Sequence, residues 1–213
     1  MTADRHSRTV ALMRLGAVIP VLTVRDAEDG VKQAKALVAG GLPAIEVTLR
    51  TPSALAAIEA IARRVPGATV GAGTVVSEEQ IDEALNAGAQ FLVSPGCTAK
   101  LAEAALKVPV PYLPGVATAS EAMAARERGF RALKLFPAEA VGGAKLLSSL
   151  AAPLPDLIFC PTGGIDEAKA RTYLALPNVA CVGGSWMTPK DALASGDYAR
   201  IEALAREASK LRG

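Results

Sequence analysis

One lysine lies inside a short apolar run, Arg131 to Ala138. Side chains in an extended strand alternate between two faces, so Lys134 shares a face with Ala132 and Phe136, while two leucines take the other. If both faces of this strand are covered, the amine is removed from water, which disfavours its charged form. A neutral amine that faces a cavity is a nucleophile for carbonyl carbon. The pattern therefore predicts Schiff-base chemistry at Lys134.

A second strand, Ala44 to Arg50, carries the other charged groups that this chemistry needs. Its apolar residues alternate with Glu46, a threonine and Arg50, so in a barrel the polar set points into the lumen. Thr74 ends the following strand on the same inward parity. An arginine with a hydroxyl binds a carboxylate as a fork, and a glutamate moves protons. These residues fit a metal-free enzyme for 2-oxo acids, with a structural Lys–Glu–Arg network in the core as the alternative.

Two glycine pairs end the last two strands of the chain. They are Gly163-Gly164, which follows Thr162, and Gly183-Gly184, which precedes Ser185. Barrels often bind phosphate with the loops after strands seven and eight, through backbone N–H groups. Glycine lets the backbone approach an anion, and the serine hydroxyl adds a donor. The two pairs together predict a phosphorylated substrate.

The elements that must position these residues repeat along the chain as a β-branched run, a turn and an alanine-rich amphipathic stretch. Eight such units argue for a parallel sheet covered by helices, and a (β/α)8 TIM barrel is the predicted fold. An open doubly wound sheet is the alternative, but the turn after the first strand lacks the glycines typical of that fold. We find no linker, so residues 1–213 form one predicted domain. The predicted strands are 17–24, 44–50, 69–75, 91–94, 111–116, 131–138, 157–164 and 179–185.

Capping signals predict where several helices begin. Asp26 is the expected N-cap of a helix that ends near Ala39, and Ser77 to Gln80 spells a capping box. A further helix is expected over 52–65, and an extra one over 5–15, before the first strand. Glu139, just after the lysine strand, is expected to cap the next helix, with a position at the mouth of the barrel as the alternative.

Charge and hydropathy exclude several classes of protein. The formal net charge is +2, with no long basic run and no basic stretch interleaved with aromatics, so we expect no nucleic-acid partner. The longest apolar stretch, 17–24, contains a proline and is far shorter than the ~20 residues that a membrane helix needs. The N-terminal segment carries charges throughout and does not resemble a secretory signal. We expect a cytoplasmic protein.

Cysteine and histidine usage restricts the chemistry further. The three cysteines are far apart and form no CxxC pair, and the single histidine, His6, lies in a polar segment. A disulfide framework or a zinc site is therefore not expected, and no metal or cofactor is predicted. Acid–base work falls to Glu, Asp, Lys or Tyr.

Taken together, these motifs resemble the 2-keto-3-deoxy-6-phosphogluconate (KDPG) aldolase and 4-hydroxy-2-oxoglutarate (KHG) aldolase family. The resemblance covers nearly the whole chain and rests on these segments: 18–21, 41–50, 71–75, 94–96, 114–115, 134–139, 161–164 and 183–186. It implies a class I aldolase without metal, a trimeric (β/α)8 barrel, and a place in carbohydrate metabolism, in the Entner–Doudoroff pathway. The implied products are pyruvate and D-glyceraldehyde 3-phosphate, or pyruvate and glyoxylate from 4-hydroxy-2-oxoglutarate.

The resemblance also implies roles for individual residues. Lys134 forms the imine with the 2-oxo substrate, and Glu46 is the general acid–base group. The implied substrate-binding residues are Arg50 and Thr74 at the carboxylate end, Pro95 and Phe136 around the pyruvyl portion, and Thr162, Gly163, Gly164, Gly184 and Ser185 at the phosphate end.

Four alternatives stay open at this point. The segment Gly183-Gly184-Ser185-Trp186 favours the gluconate-type enzyme over its phosphogalactonate relative, without deciding the stereochemistry. A divalent-metal pyruvate aldolase would need several carboxylate or histidine ligands in the lumen, where only Glu46 is expected. The others are a phosphosugar isomerase or epimerase, in which Lys134 is only electrostatic, and a non-catalytic phosphate-binding barrel.

Overall fold

The computed structural model describes residues 2–212, and the side chains of residues 5–212. Its strands are β1 (Val18–Leu22), β2 (Ala44–Thr48), β3 (Thr69–Gly73), β4 (Leu92–Val93), β5 (the two segments Tyr112–Leu113 and Gly115–Val116), β6 (Ala132–Leu135), β7 (Ile158–Pro161) and β8 (Val182–Gly184). Its helices are α1 (Thr2–Met13), α2 (Ala27–Ala39), α3 (Ala54–Arg64), α4 (Glu78–Asn86), α5 (Ala99–Ala105), α6 (Ala119–Glu127), α7 (Gly143–Ala151), α8 (Glu167–Leu174), α9 (Lys190–Ser195) and α10 (Tyr198–Ser209). A 3-10 turn, Glu139–Val141, precedes α7.

Parallel pairing closes the strands into a ring. Each strand pairs with the next from β1 to β4, and β5 bridges two neighbours, its first segment pairing with β4 and its second with β6. β6 pairs with β7, and two bridges, Phe159–Val179 and Thr162–Gly183, continue the ring to β8. β8 then pairs with β1, so each of the eight described strands has a neighbour on both sides. This closure confirms the predicted (β/α)8 barrel and rules out the open doubly wound sheet.

The alternation of side chains separates an outer core from an inner one. Leu133 and Leu135 of β6 belong to the large apolar cluster between strands and helices, whereas Ala132 belongs to a smaller cluster inside the barrel. The same division holds on β2, where Ile45 and Val47 face outward. The inward parity assigned to the lysine strand and to its polar counterpart is therefore confirmed.

The extra N-terminal helix is confirmed, although it runs from Thr2 to Met13 rather than over 5–15. Leu12 and Met13 are buried in the inner cluster with Ala44 and Ala132, which are the first residues of β2 and β6. α1 therefore covers the N-terminal end of the barrel. The inner cluster fills that end, so a ligand must enter at the C-terminal ends of the strands. Among residues 2–212, no helix combines the length and the apolar content needed to cross a bilayer.

One predicted capping box and one predicted helix start differ from the structure. The hydroxyl of Ser77 accepts from the amide of Gln80 as expected, but the Gln80 side chain accepts from the amide of Val76, so the reciprocal box is incomplete. The helix expected to begin at residue 52 begins at Ala54. The hydroxyl of Ser53 donates to the carbonyl of Arg25 at 2.9 Å, which leaves it without a capping bond.

Candidate active site

The lysine and the glutamate meet inside the barrel. Lys134 is on β6 and Glu46 is on β2, four positions apart in a ring of eight, so their side chains approach each other across the lumen. The Lys134 Nζ lies 3.1 Å from Glu46 Oε1 and 3.5 Å from Oε2. The two side chains are only 5 % and 4 % exposed. Lys134 is thus a paired amine rather than an isolated one, and Glu46 is the acceptor in reach for a proton that leaves it.

A glycine makes room for this pair. Gly73 ends β3, next to β2 in the sheet. A Cβ atom at Gly73 would lie 2.1 Å from Glu46 Oε1 and 2.5 Å from its Cγ, which is far inside contact distance. The carboxylate can occupy its position beside Lys134 only because residue 73 has no side chain.

Phe136 and Pro95 occupy different places relative to the amine. The Lys134 Nζ lies 5.3 Å from the centre of the Phe136 ring, so the ring forms a wall beside the amine, within the range of a cation–π contact. Pro95 packs against β5, where a Cβ atom at Gly115 would come within 2.3 Å of the Pro95 carbonyl. Pro95 is not among the described residues that line the cavity at Lys134, so its contact with substrate stays a prediction.

Arg50 and Thr74 form the second polar group at the C-terminal ends of the strands. The Arg50 Nε donates to the Thr74 hydroxyl at 3.1 Å, and Arg50 lines the same cavity as Lys134. The inward strand parity predicted for Thr74 is wrong, because β3 ends at Gly73 and its residue Ala72 faces the outer cluster. Thr74 instead has a φ of 62°, in the left-handed region that a β-branched residue rarely adopts. The backbone turns there at a cost of ~1–3 kcal/mol, and the turn places the hydroxyl against the guanidinium.

Residues of β7, β8 and their loops line the far side of a cavity of about 140 Å³. The predicted phosphate-end residues all line it, namely Thr162, Gly163, Gly164, Gly184 and Ser185. Gly163 and Gly164 have φ angles of 105° and 77°, so the turn after β7 requires glycine. Val21 and Ile165 also line the cavity and were not predicted, because aliphatic residues at strand ends carry no distinct sequence signal.

Glu139 differs from its predicted role as a helix cap. Its Oε1 accepts from the hydroxyl of Tyr173 at 2.5 Å, and its Oε2 lies 3.0 Å from the Nζ of Lys169. These two hydrogen bonds hold the pKa of the Glu139 carboxyl below its usual value. α7 begins at Gly143, and its N-cap residue, Gly142, provides no side-chain cap. The prediction failed because both partners lie on α8, about 30 residues further along the chain, and only the tertiary structure brings them together.

The cysteines do not contribute to the cavity at Lys134. Cys160 and Cys181 are buried in the inner cluster, and burial raises the pKa of the Cys181 thiol, with a further contribution from Cys160. All three cysteines are free thiols. Among the described residues, no three carboxylate, imidazole or thiol side chains come together as a metal site would require. The chemistry of this donor set is therefore that of an amine, a carboxylate and a guanidinium.

Comparison with known proteins points to one family. Residues 10–204 match the family model of KDPG and KHG aldolases. The KHG/KDPG aldolase of Escherichia coli strain K12 is 52 % identical over 198 residues, which cover 93 % of each chain.

Two solved structures resemble this fold over nearly its full length. A KDPG aldolase from Legionella pneumophila, which holds pyruvate captured at low pH as a covalent carbinolamine intermediate, is 42 % identical, with a TM-score of 0.92 over 94 % of this chain and 98 % of that one. The 2-keto-3-deoxy-6-phosphogluconate aldolase of Zymomonas mobilis ZM4, with 3-phosphoglycerate, is 47 % identical, with a TM-score of 0.91 over 96 % and 97 % of the two chains. The chain belongs to the KDPG and KHG aldolase family.

Proposed function

We propose that this protein is a class I aldolase that cleaves 2-dehydro-3-deoxy-6-phospho-D-gluconate to pyruvate and D-glyceraldehyde 3-phosphate. The observation that carries the proposal is the buried hydrogen bond between Lys134 and Glu46, which opens onto a cavity lined by Arg50 and two glycine turns. An amine beside a proton acceptor, in a site that excludes most water, is the arrangement needed for imine formation. Family membership gives the reaction class.

The reaction needs proton transfers at each of its stages. Lys134 attacks the C2 carbonyl of the substrate after giving up a proton, and loss of water from the carbinolamine yields the protonated imine. The imine withdraws the electrons of the C3–C4 bond as a base removes the proton of the C4 hydroxyl, so the aldehyde leaves and an enamine remains. Protonation of the enamine at C3 and hydrolysis release pyruvate. Glu46, 3.1 Å from the nitrogen, is the group that we assign to these transfers.

Binding groups at the two ends of the cavity fix the substrate. Arg50, held by Thr74, supplies a fixed cation for the carboxylate. Phe136 packs beside the pyruvyl portion, with Pro95 as its proposed neighbour. The turns after β7 and β8 take the phosphate. The covalent pyruvate in the Legionella enzyme and the 3-phosphoglycerate in the Zymomonas enzyme support a substrate with a pyruvyl portion and a phosphate.

Further properties belong to the same proposal. We assign a second activity, cleavage of 4-hydroxy-2-oxoglutarate to pyruvate and glyoxylate, because the Escherichia coli relative is a KHG/KDPG aldolase. Resemblance to the family supports a cytoplasmic homotrimer that acts in the Entner–Doudoroff pathway. The phosphogalactonate substrate is the second candidate, and cleavage assays with both epimers at C4 separate the two.

Borohydride trapping tests the proposal. The protein is incubated with pyruvate, reduced with borohydride, digested and analysed by mass spectrometry, with the Lys134→Met variant treated in parallel. We expect one irreversible adduct, at Lys134, and none in the variant. An unmodified wild-type Lys134 would contradict the aldolase and favour an isomerase or a phosphate-binding barrel. Cleavage that survives EDTA would argue against the metal-dependent alternative.

A further inference from the structure

Three side chains join the loop after the lysine strand to the loop after β7. Glu139 accepts from the hydroxyl of Tyr173 and pairs with Lys169, whose Nζ also donates to the carbonyl of Gly164 at 2.9 Å. The amide of Glu139 donates to the carbonyl of Gly163 at 3.2 Å. Both carbonyls of the glycine turn that lines the cavity are therefore occupied by donors from outside it.

The other side of the same turn is free. Among residues 2–212, the amides of Gly164 and Ile165 find no protein acceptor. Unpaired N–H groups beside a cavity are the donors that an anion needs. These two amides are available to a ligand, and the bonds from Lys169 and from the Glu139 amide fix the position of the turn that carries them.

Charge is the second feature of the group formed by Glu139, Lys169 and Tyr173. The Glu139 side chain packs directly on Gly164, where a Cβ atom would lie 2.9 Å from Glu139 Cγ. A lone carboxylate at this position would repel a phosphate bound to the turn, since like charges separated by a few ångströms oppose binding. Lys169 lies 3.0 Å from that carboxylate and cancels its charge, although neither side chain lines the cavity.

We propose that Lys169 is a positioning residue for the phosphate end of the substrate. It neutralises Glu139 and donates to the Gly164 carbonyl, so that the amides of the glycine turn can bind an anion. The inference rests on the proposed function only for the identity of the substrate. Lys169 acts through the turn and touches neither the reacting carbon nor the imine nitrogen, so its effect is confined to phosphorylated ligands.

The test uses binding as well as turnover. Isothermal calorimetry with 3-phosphoglycerate compares the wild type with Lys169→Met, with the double variant Lys169→Met/Glu139→Gln, and with Arg171→Met. Arg171 is the matched control, because it lies on the same helix and pairs with Glu167 at the surface, at 2.9 Å. Cleavage of the phosphorylated substrate and of 4-hydroxy-2-oxoglutarate, which has no phosphate, is measured alongside.

We expect Lys169→Met to weaken binding of 3-phosphoglycerate about tenfold and to raise KM for the phosphorylated substrate similarly. The value of kcat, cleavage of 4-hydroxy-2-oxoglutarate and the yield of the pyruvate adduct should stay within twofold of the wild type. The double variant should recover part of the loss, because it removes the uncompensated carboxylate. Arg171→Met should behave like the wild type, and Lys169→Arg should restore binding.

Three results would overturn the inference. They are a wild type that does not bind 3-phosphoglycerate, a Lys169→Met variant that binds it as tightly as the wild type, and a double variant no better than the single one. An equal loss on both substrates would also overturn it, since that points to a general structural role. Absence of the pyruvate adduct from the wild type instead contradicts the proposed function, and the phosphate-probe measurement still decides the role of Lys169.

Discussion

At the scale of single residues, the site depends on a lysine–glutamate pair in the barrel interior, where removing charge from water costs free energy. Lys134 and Glu46 are almost completely buried, and a buried ion pair contributes little to stability once desolvation is counted. Gly73 has no side chain, and the carboxylate of Glu46 occupies the space that a side chain there would fill. The pair is therefore better explained by chemistry than by stability.

Replacing Glu46 by glutamine tests the proton-transfer role. The amide oxygen still accepts from the Lys134 amine, but it takes no proton, so turnover should fall by about 10²–10⁴-fold. Pyruvate should still be trapped at Lys134 by borohydride. The measurements are steady-state cleavage and adduct yield on the same preparation. Unchanged turnover would remove Glu46 from the mechanism.

The Gly73→Ala variant tests the geometry without altering either charge. The added methyl group would lie 2.1 Å from Glu46 Oε1, so the carboxylate must move away from Lys134. We expect kcat to fall by about 10²-fold, the size of effect that a displacement of roughly 1 Å produces.

A matched control for this variant is Gly16→Ala. The new Cβ atom there meets Leu42 at 3.4 Å, which is ordinary contact. Thermal unfolding of both variants separates loss of activity from loss of fold. Full activity in Gly73→Ala would mean that the spacing between Glu46 and Lys134 does not limit the reaction.

At the scale of elements, side-chain caps determine where the loops at the active end of the barrel stop. Asp26, Ser77, Thr98, Thr118 and Asp166 each accept a hydrogen bond from an amide in the first turn of the following helix. The loop that ends at Asp166 lines the cavity at Lys134, so the Asp166 cap limits the freedom of one wall of the site. The complete capping box is at α6, where Glu121 also accepts from the amide of Thr118.

Thr118→Ala should therefore destabilise the fold without affecting catalysis. Loss of an N-cap costs about 1 kcal/mol, and urea denaturation should show a shift of this size in the free energy of unfolding. Neither Thr118 nor any residue of α6 lines the cavity at Lys134, so kcat should not change. Ser120→Ala, at an exposed position of the same helix, is the control for a simple loss of hydroxyl. A Thr118→Ala variant as stable as the wild type would show that the box contributes nothing measurable.

At the scale of the whole molecule, the first and last units must meet for the barrel to close. β8 pairs with β1, and α10 packs against α2. Asp29 of α2 lies at this contact between the two helices. Its carboxylate accepts from the Arg25 side chain at 3.0 Å and from the Gln33 side chain at 3.0 Å. The Tyr198 hydroxyl of α10 lies 3.4 Å from the same carboxylate. Burial raises the pKa of Asp29, but the bonds from Arg25 and Gln33 outweigh it, so the net pKa is lowered.

This shift gives a prediction with a defined sign. A carboxyl whose pKa is lower in the folded state stabilises the fold above its unfolded pKa of ~3.9. It loses that contribution as the pH falls through the pKa of the folded state. Asp29→Asn should be less stable than the wild type by about 1–3 kcal/mol at pH 7 and pH 5. The difference should shrink below pH ~4, as the wild-type carboxyl is protonated.

The control for Asp29 is Glu59→Gln, which removes an exposed pair with Arg63 and should change stability by less than about 1 kcal/mol. Unfolding is followed by urea titration at pH 7, 5 and 3. A difference between Asp29→Asn and the wild type that is the same at all three values would show that the Asp29 charge does not contribute to closure.

The sequence by itself determined which side chains share a face. The period of two in a strand, read together with the polar residues of β2 and β6, is enough to assign Glu46 and Lys134 to the lumen. Arg50 lies beyond the end of β2, at an exposed position, so strand periodicity does not place it. A local capping residue, Asp26, likewise indicated the start of α2, because an N-cap bond joins residues three apart. These are short-range properties, so they can be read from the chain directly.

Tertiary structure alone decided the distances. Lys134 and Glu46 are 88 residues apart, and their contact exists because ring closure places β2 opposite β6. The space above Gly73 depends on the register between β2 and β3, and the pairing of Glu139 with Tyr173 and Lys169 depends on how α8 follows β7. No local periodicity encodes such contacts, because strand register and barrel closure are collective outcomes of packing the whole chain.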